Sequence, residues 1–330
     1  MLSSVAWRTP PRDYGPWEQV ASLLTEGLVA RGEDVTLFAT ADSITGAALE
    51  SVLPHGYAED PAMDGRIWEA MHVARALERS GDFDLVHNHL DWLPLAFARS
   101  WGAPLLTTIH GFSGAAILPV YQRAVSAYVS ISDADRAPGL DYLATVHHGI
   151  DLDEFTATAE AGDDLVVLGR IHPDKGTADA IEIARRTGRR LLICGPVVDD
   201  AYFAERVAPH VDGERVVHLG SIGPAERDRV LGAAAMLLHP IGFDEPFGLA
   251  VIEAMACGTP VVAYRRGAMP ELIDEAVTGF VVDGLDEAVA AVPRAARLDR
   301  VQVRGVAERR FGVERMVDEY LAIYRRLLNG

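Results

Sequence analysis

Short runs of Val, Ile and Leu alternate with longer stretches of helical periodicity along the whole chain. In the first half the runs fall at 2–7, 35–38, 85–87, 105–109, 128–131 and 145–148. In the second they fall at 165–169, 191–194, 216–219, 236–239, 260–263 and 280–282. Uninterrupted apolar runs of this length, separated by helical stretches, mark strands buried on both faces of parallel sheets. Two such sets predict an α/β protein of two doubly wound, Rossmann-like domains, residues 1–150 and 151–312. The stretch 151–164 is acidic, rich in Ala, Thr and Gly and poor in core residues, so it is the expected linker. Met316, Tyr320, Ile323 and Leu327 recur at helical intervals and predict an amphipathic helix over 313–330 that joins the first domain. Open parallel sheets bind ligands beyond the carboxyl ends of their strands, so the gap between two of them is the expected active site.

Composition narrows the function. The chain has 330 residues, enough for two domains, and at 49% hydrophobic and 24% charged it is too apolar to be disordered. No uncharged apolar run reaches the roughly 18 residues a membrane span needs. Neither a basic leader nor an apolar signal region opens the sequence, so no signal peptide is expected. Cys194 and Cys257 sit in small apolar settings and read as buried free thiols, which points to the cytoplasm. The net charge of −18 argues against nucleic acid or an anionic membrane as partner. Seven arginines between Arg294 and Arg315 lie among acidic and apolar residues, as on a solvated helix face. A phosphate ligand would therefore need its own local cationic site.

Two segments supply that chemistry. The first is EPFGLAVIE, Glu245 to Glu253, where Pro246 and Gly248 suit a helix start. Amides near Phe247, Gly248 and Leu249 would then stand at the positive end of a helix dipole. Glu245 and Glu253 offer carboxylates to sugar or ribose hydroxyls; two surface glutamates on an amphipathic helix are the plainer reading. The second is GRIHPDKG, Gly169 to Gly176, a turn in which Arg170 and Lys175 suit a pyrophosphate. It is not a Walker loop, because Lys175 precedes its glycine. In the first domain, PPRDYGPWE carries Arg12, Asp13, Gly15 and, at an expected first helical position, Pro16. His110 ends a strand where it could touch a donor sugar. His87 and His89 flank Asn88 like a metal pair, but no third ligand stands at convincing spacing, so no metal is expected. His147 and His148 read as part of a closing strand and hinge. No nucleophile elbow and no dinucleotide fingerprint occurs.

Taken in order, Pro11 and Gly15, Gly169-Arg170 with Lys175-Gly176, Glu245 with Glu253, and the GTPV of Gly258 to Val261 resemble the family 4 retaining glycosyltransferases of GT-B fold, in a bacterial form. The resemblance implies two facing Rossmann-like domains and transfer of a hexose from a nucleoside-diphosphate sugar, a UDP-hexose or GDP-mannose, with no cofactor. It implies Arg170 and Lys175 on the diphosphate, Glu245 on the sugar and Glu253 on the ribose. It further implies Gly220, Ser221 and Ile222 at the base, and Gly15 and His110 completing the site. Asp13, Tyr14, 89–92 and 112–117 would meet a small-molecule or glycan acceptor. Family members usually carry a second glycine after the counterpart of Gly15, where this chain has Pro16, so a phosphate contact from that loop is in doubt. The competing readings are a nucleotide-sugar epimerase of the same shape and a non-catalytic sugar-nucleotide-binding module.

Overall fold

The structure, a computed structural model, describes every residue except Asp13, Tyr14, Ser113, Ala161 and Gly330. The chain divides into two compact units, Met1–Gly149 with Val313–Gly330, and Ile150–Gly312.

All six strands of the second unit coincide with apolar runs. They are β7 (Leu165–Leu168), β8 (Leu191–Cys194), β9 (Val216–Gly220), β10 (Met236–His239), β11 (Val261–Tyr264) and β12 (Gly279–Val282). Every pair is parallel, in the order β12-β11-β10-β7-β8-β9. The first strand thus lies mid-sheet against the fourth, and the loops after β7 and β10 leave on either side of the point where the winding reverses. In doubly wound sheets that point is the usual ligand crevice. Leu165, Leu191, Met236 and Leu237 are wholly buried, as a sheet covered on both faces requires.

The first unit is less regular. β1 (Thr36–Phe38) pairs in parallel with β2 (Ala48–Glu50), while β3 (Val86–Asn88), β4 (Leu105–Ile109), β5 (Ala127–Ser130) and β6 (Tyr142–Thr145) form a parallel sheet in sequence order. The strand expected at 2–7 is reduced to Leu2, which bridges Phe38 and Asn88. Beyond it, the carbonyls of Val5 and Ala6 accept from the amides of Tyr57 and Ala58 and leave the ladder. The strand expected at 145–148 ends at Thr145 instead. Arg315 takes the carbonyls of His147 and His148 at 2.6 and 3.2 Å, so neither is available to a neighbouring strand. β2 has no apolar run, and Leu49 at its centre is 37% exposed.

Helix Val313–Asn329 buries Met316, Val317 and Tyr320 with Val20, Leu24 and Leu28 of helix Pro16–Ala30. Each such side chain contributes about 1.5–3 kcal/mol by leaving water. The hydroxyl of Tyr320 lies 2.8 Å from Thr108 Oγ1, which ties this helix to β4.

The expected linker, 151–164, is bound into the second unit. Arg300, 6% exposed, donates to the carbonyls of Thr158, Gly232, Ala234 and Cys257 and to the hydroxyl of Thr259. Arg304 donates to the carbonyls of Leu152, Phe155 and Ala256. The arginine-rich stretch is therefore not simply a solvated face. Four of its guanidiniums, those of Arg300, Arg304, Arg310 and Arg315, donate to backbone carbonyls.

Candidate functional site

In the second unit the turn after β7 places Arg170 in solvent, with no hydrogen bond or ion pair among the described residues. The chain then makes a short turn, Pro173–Lys175, and enters helix Thr177–Thr187 through Gly176. Gly176 is left-handed (φ 67°), and a Cβ there would lie 1.8 Å from the carbonyl oxygen of Pro240. Only glycine lets the loops after β7 and β10 approach so closely. The amide of Gly242 donates to Asp174 O at 2.7 Å and fastens the same two loops together.

That fastening brings Lys175 to Glu245. Lys175 Nζ donates to Glu245 Oε2 at 2.5 Å and lies 4.7 Å from the ring centre of Phe243. Both side chains are mostly covered, 17% and 16% exposed, where charges attract more strongly than in water. His239, at the end of β10, has Nε2 3.8 Å from Glu245 Oε2 and, among the described residues, no hydrogen-bond partner for that nitrogen. Burial pushes its pKa down to about 4, so it is neutral at physiological pH.

The helix of the EPFGLAVIE segment begins later than Pro246 suggests, at Leu249, and runs to Ala256. Gly248 caps it with φ 113°, and its missing side chain leaves room for Met269 Cε, 2.8 Å from where a Cβ would stand. The amides of Gly248, Leu249 and Ala250 donate to no group among the described residues. They are the unpaired donors of a helix start, where the dipole favours an anion. Phe247 turns its ring inward against Phe311 at 6.4 Å, so any ligand contact there falls to the backbone. Glu253 lies one turn into the helix and is buried. Burial raises its pKa, and Arg227, 3.2 Å away, opposes that shift. Arg227 comes from helix Pro224–Ala233, packs over Phe155 at 5.5 Å, and has a buried Nε with no partner. Just before that helix, Gly220 (φ 71°) ends β9, Ser221 is exposed and Ile222 is half-buried.

Of the expected second-unit residues, the structure thus joins Lys175 with Glu245 at the head of the helix that carries Glu253. It adds Arg227 and His239, which the sequence reading missed. Arg227 stands among Glu226, Asp228 and Arg229, a pattern that looks like any solvated helix. His239 ends an apolar run with nothing local to mark it.

In the first unit Gly15 (φ 154°) caps helix Pro16–Ala30, with Pro16 at its first position. Asp13 and Tyr14, the expected acceptor contacts, lie outside the described residues. Arg12 is committed to Asp42 and Glu59 at 3.2 and 3.0 Å. His110 follows β4 and is 9% exposed, with Trp17 stacked on it at 5.6 Å. Both of its ring nitrogens are already engaged, Nε2 by His89 Nδ1 at 2.9 Å and Nδ1 by His148 Nε2 at 3.4 Å. A donor sugar could gain its side chain only by breaking one of these contacts. The row continues from His89 to His87, which reaches Tyr324 and Thr108 at 2.7 and 2.8 Å. Burial lowers all four histidines, His110 to about 3. The His87–His89 pair that resembled metal ligands is therefore part of a hydrogen-bonded chain of neutral rings. Cys194 and Cys257 are buried and free, their thiols pushed up to about 12 by burial. Among the described residues, no helix is long and apolar enough to cross a membrane.

Comparison with known proteins identifies the family. Residues 18–154 match the family described as Glycosyltransferase Family 4, and residues 152–298 match the family described as Glycosyl transferases group 1. The D-inositol 3-phosphate glycosyltransferase of Saccharomonospora viridis is 30% identical over 317 residues, covering 77% of this chain and 72% of that enzyme. Its namesake from Mycobacterium sp. strain KMS is 31% identical over 259 residues, 64% of this chain, and the match spans only 58% of that relative's length. Among solved structures, AviGT4, a glycosyltransferase involved in avilamycin A biosynthesis, is 27% identical with a TM-score of 0.75, over 100% of this chain and 97% of that one. With both halves matched in order and a relative this similar over most of its length, the chain belongs to the family 4 glycosyltransferases.

Proposed function

We propose that this protein is a retaining glycosyltransferase that moves a hexose from a nucleoside-diphosphate sugar, a UDP-hexose or GDP-mannose, to an acceptor hydroxyl without an essential metal. One observation carries the reading: Lys175 is held against Glu245 at the head of a helix whose first amides are unengaged. A diphosphate arriving there takes Lys175 from Glu245 and receives the amides of Gly248 and Leu249. Glu245, released, accepts hydroxyls of the transferred sugar. Arg170, exposed and uncommitted, adds a fork of donors to the phosphate oxygens. Glu253, paired with Arg227, accepts the ribose hydroxyls, and Gly220 to Ile222 lie along the base.

The chemistry follows from where charge develops. As the bond between the anomeric carbon and the β-phosphate oxygen breaks, negative charge gathers on the diphosphate. Lys175, Arg170 and the helix amides stabilise it most in the transition state. The acceptor oxygen bonds the anomeric carbon on the face the leaving group vacates, and its proton passes to the departing phosphate. No carboxylate base is then needed.

The test is a melting-temperature panel with UDP, GDP, ADP and their sugars, without metal and with EDTA. A cognate donor at a hundredfold excess over Kd should add about 2.7 kcal/mol of stability. No shift with any nucleotide overturns the reading. Activity abolished by EDTA and restored by Mg²⁺ or Mn²⁺ overturns its metal-free part.

A further inference from the structure

A cavity of about 400 Å³ opens within the first unit. It lies at the carboxyl ends of the parallel strands: Leu90 to Leu93 on its wall follow β3, and Trp17, also on its wall, stacks on His110, which follows β4. Nothing in the proposed donor site uses it.

Its lining has an unusual balance. Three indoles, Trp7, Trp17 and Trp92, share the wall with three carboxylates, Glu18, Glu69 and Asp91, and no Lys or Arg is present. Glu18, 2% exposed in the first turn of helix Pro16–Ala30, accepts from neutral donors: the amide of Trp7 at 3.3 Å, Ser4 and its own amide. Glu69 accepts the hydroxyl of Tyr57 at 2.7 Å, and Asp91 that of Tyr121 at 2.6 Å. No cation pairs with Glu18 or Glu69 among the described residues. Burial raises the pKa of both, and the Asp91 carboxylate raises Glu69 further. Neither Arg8 nor Arg12 is on the wall, and Arg12 is spent on Asp42 and Glu59.

Aromatic faces beside carboxylates suit the ring and hydroxyls of a sugar or cyclitol. Glu18 and Glu69, carboxylates without an ion pair among the described residues, on a wall shared with indoles, suit a cation in addition. A phosphorylated acceptor, such as the one in the name of the inositol 3-phosphate relatives, would instead bring further negative charge where no cation waits. We propose that this cavity is the acceptor subsite and takes an unphosphorylated, amine-bearing sugar or cyclitol. Its ammonium rests among Glu18, Glu69 and Asp91 while a ring hydroxyl receives the hexose. This rests on the transferase reading above.

The three lining tryptophans make binding measurable by intrinsic fluorescence of the full chain. Titrations at pH 6.5 with glucosamine, N-acetylglucosamine and glucose 6-phosphate should give glucosamine at least tenfold tighter binding than N-acetylglucosamine, with the phosphate weakest. Glu69→Gln keeps an acceptor for Tyr57 and removes the charge, so it should cut that preference at least fivefold. Trp92→Ala, at an exposed position that the fold does not depend on, should weaken all three sugars. Equal binding of the phosphate, a preference intact in Glu69→Gln, or no binding of any sugar overturns the proposal. A nucleotide melting shift without amine preference overturns this inference alone. Amine preference without any nucleotide shift supports the chemistry of the cavity and overturns the transferase reading.

Discussion

The two units bury polar groups in opposite forms. In the first, His87, His89, His110 and His148 form a row of neutral rings, and His72 is buried separately against Ser3 O at 3.1 Å. In the second, charged side chains are covered in pairs or on several acceptors: Lys175 with Glu245, Arg227 with Glu253, and Arg300 on its five acceptors. There only His239 has a strongly lowered histidine pKa among the described residues. A neutral imidazole is far less costly to bury than an ion, and it satisfies a partner without presenting charge. An ion pair is costlier to hold, but its cation can be handed to an incoming anion. The unit that holds these ion pairs is the one proposed above to receive a diphosphate.

Acid should separate the units most sharply. A histidine titrates near 6.5 when unfolded, whereas His72 and His110 are depressed to about 4 and 3, and His87, His89 and His148 also lie well below 6.5. Below pH 6.5 the unfolded chain therefore binds more protons than the folded one, and stability falls until the folded values are reached. Each such histidine can remove up to about 2 kcal/mol between pH 6.5 and 5. Glu18, Glu69 and Glu253, whose pKa values are raised, act in the opposite sense nearer the carboxylate range. Hydrogen exchange between pH 7 and 5 should show strands β3 to β5 losing protection before β7 to β12. Equal loss in both would break the comparison.

Next in size is the cation that can change partners. Lys175→Ala should lower kcat by about 10²–10³ with the fold retained, the scale seen when one preorganised transition-state contact is removed. Glu245→Ala should do likewise, and near-normal turnover in both variants would remove the assignment. Arg300→Met, by contrast, should act on stability. It strands several buried carbonyls and should cost about 3 kcal/mol, read as a lowered denaturation midpoint with unchanged slope. The smallest effect belongs to Arg12→Ala. Its ion pairs lie on a side chain 56% exposed and should be worth under about 1 kcal/mol. A larger loss there would mean the first unit also depends on charge pairing.

How far the sequence could be read followed the same division. Five strands of the second unit were legible because a strand buried within a sheet must be largely apolar, and that run is local; β9, at the edge, is only half-buried. The first unit was harder to read. Leu2 is one bridging residue rather than a strand, and β2 is an exposed edge whose Ala-Leu-Glu carries no run. Glu245, Glu253, Arg170 and Lys175 could be named from motif spacing. Arg227, His239 and Arg300 could not, because their surroundings in the chain resemble ordinary helix or strand.

The sequence by itself determined where elements form and which groups are charged, since periodicity and residue chemistry are properties of neighbours in the chain. Only the tertiary structure decided that Lys175 meets Glu245 from 70 positions away, that four histidines share one buried row, and that Glu18 and Glu69 share a cavity wall with three indoles. Those outcomes depend on which atoms exclude water from a group and which replace it, and that is set by packing between segments remote in the chain.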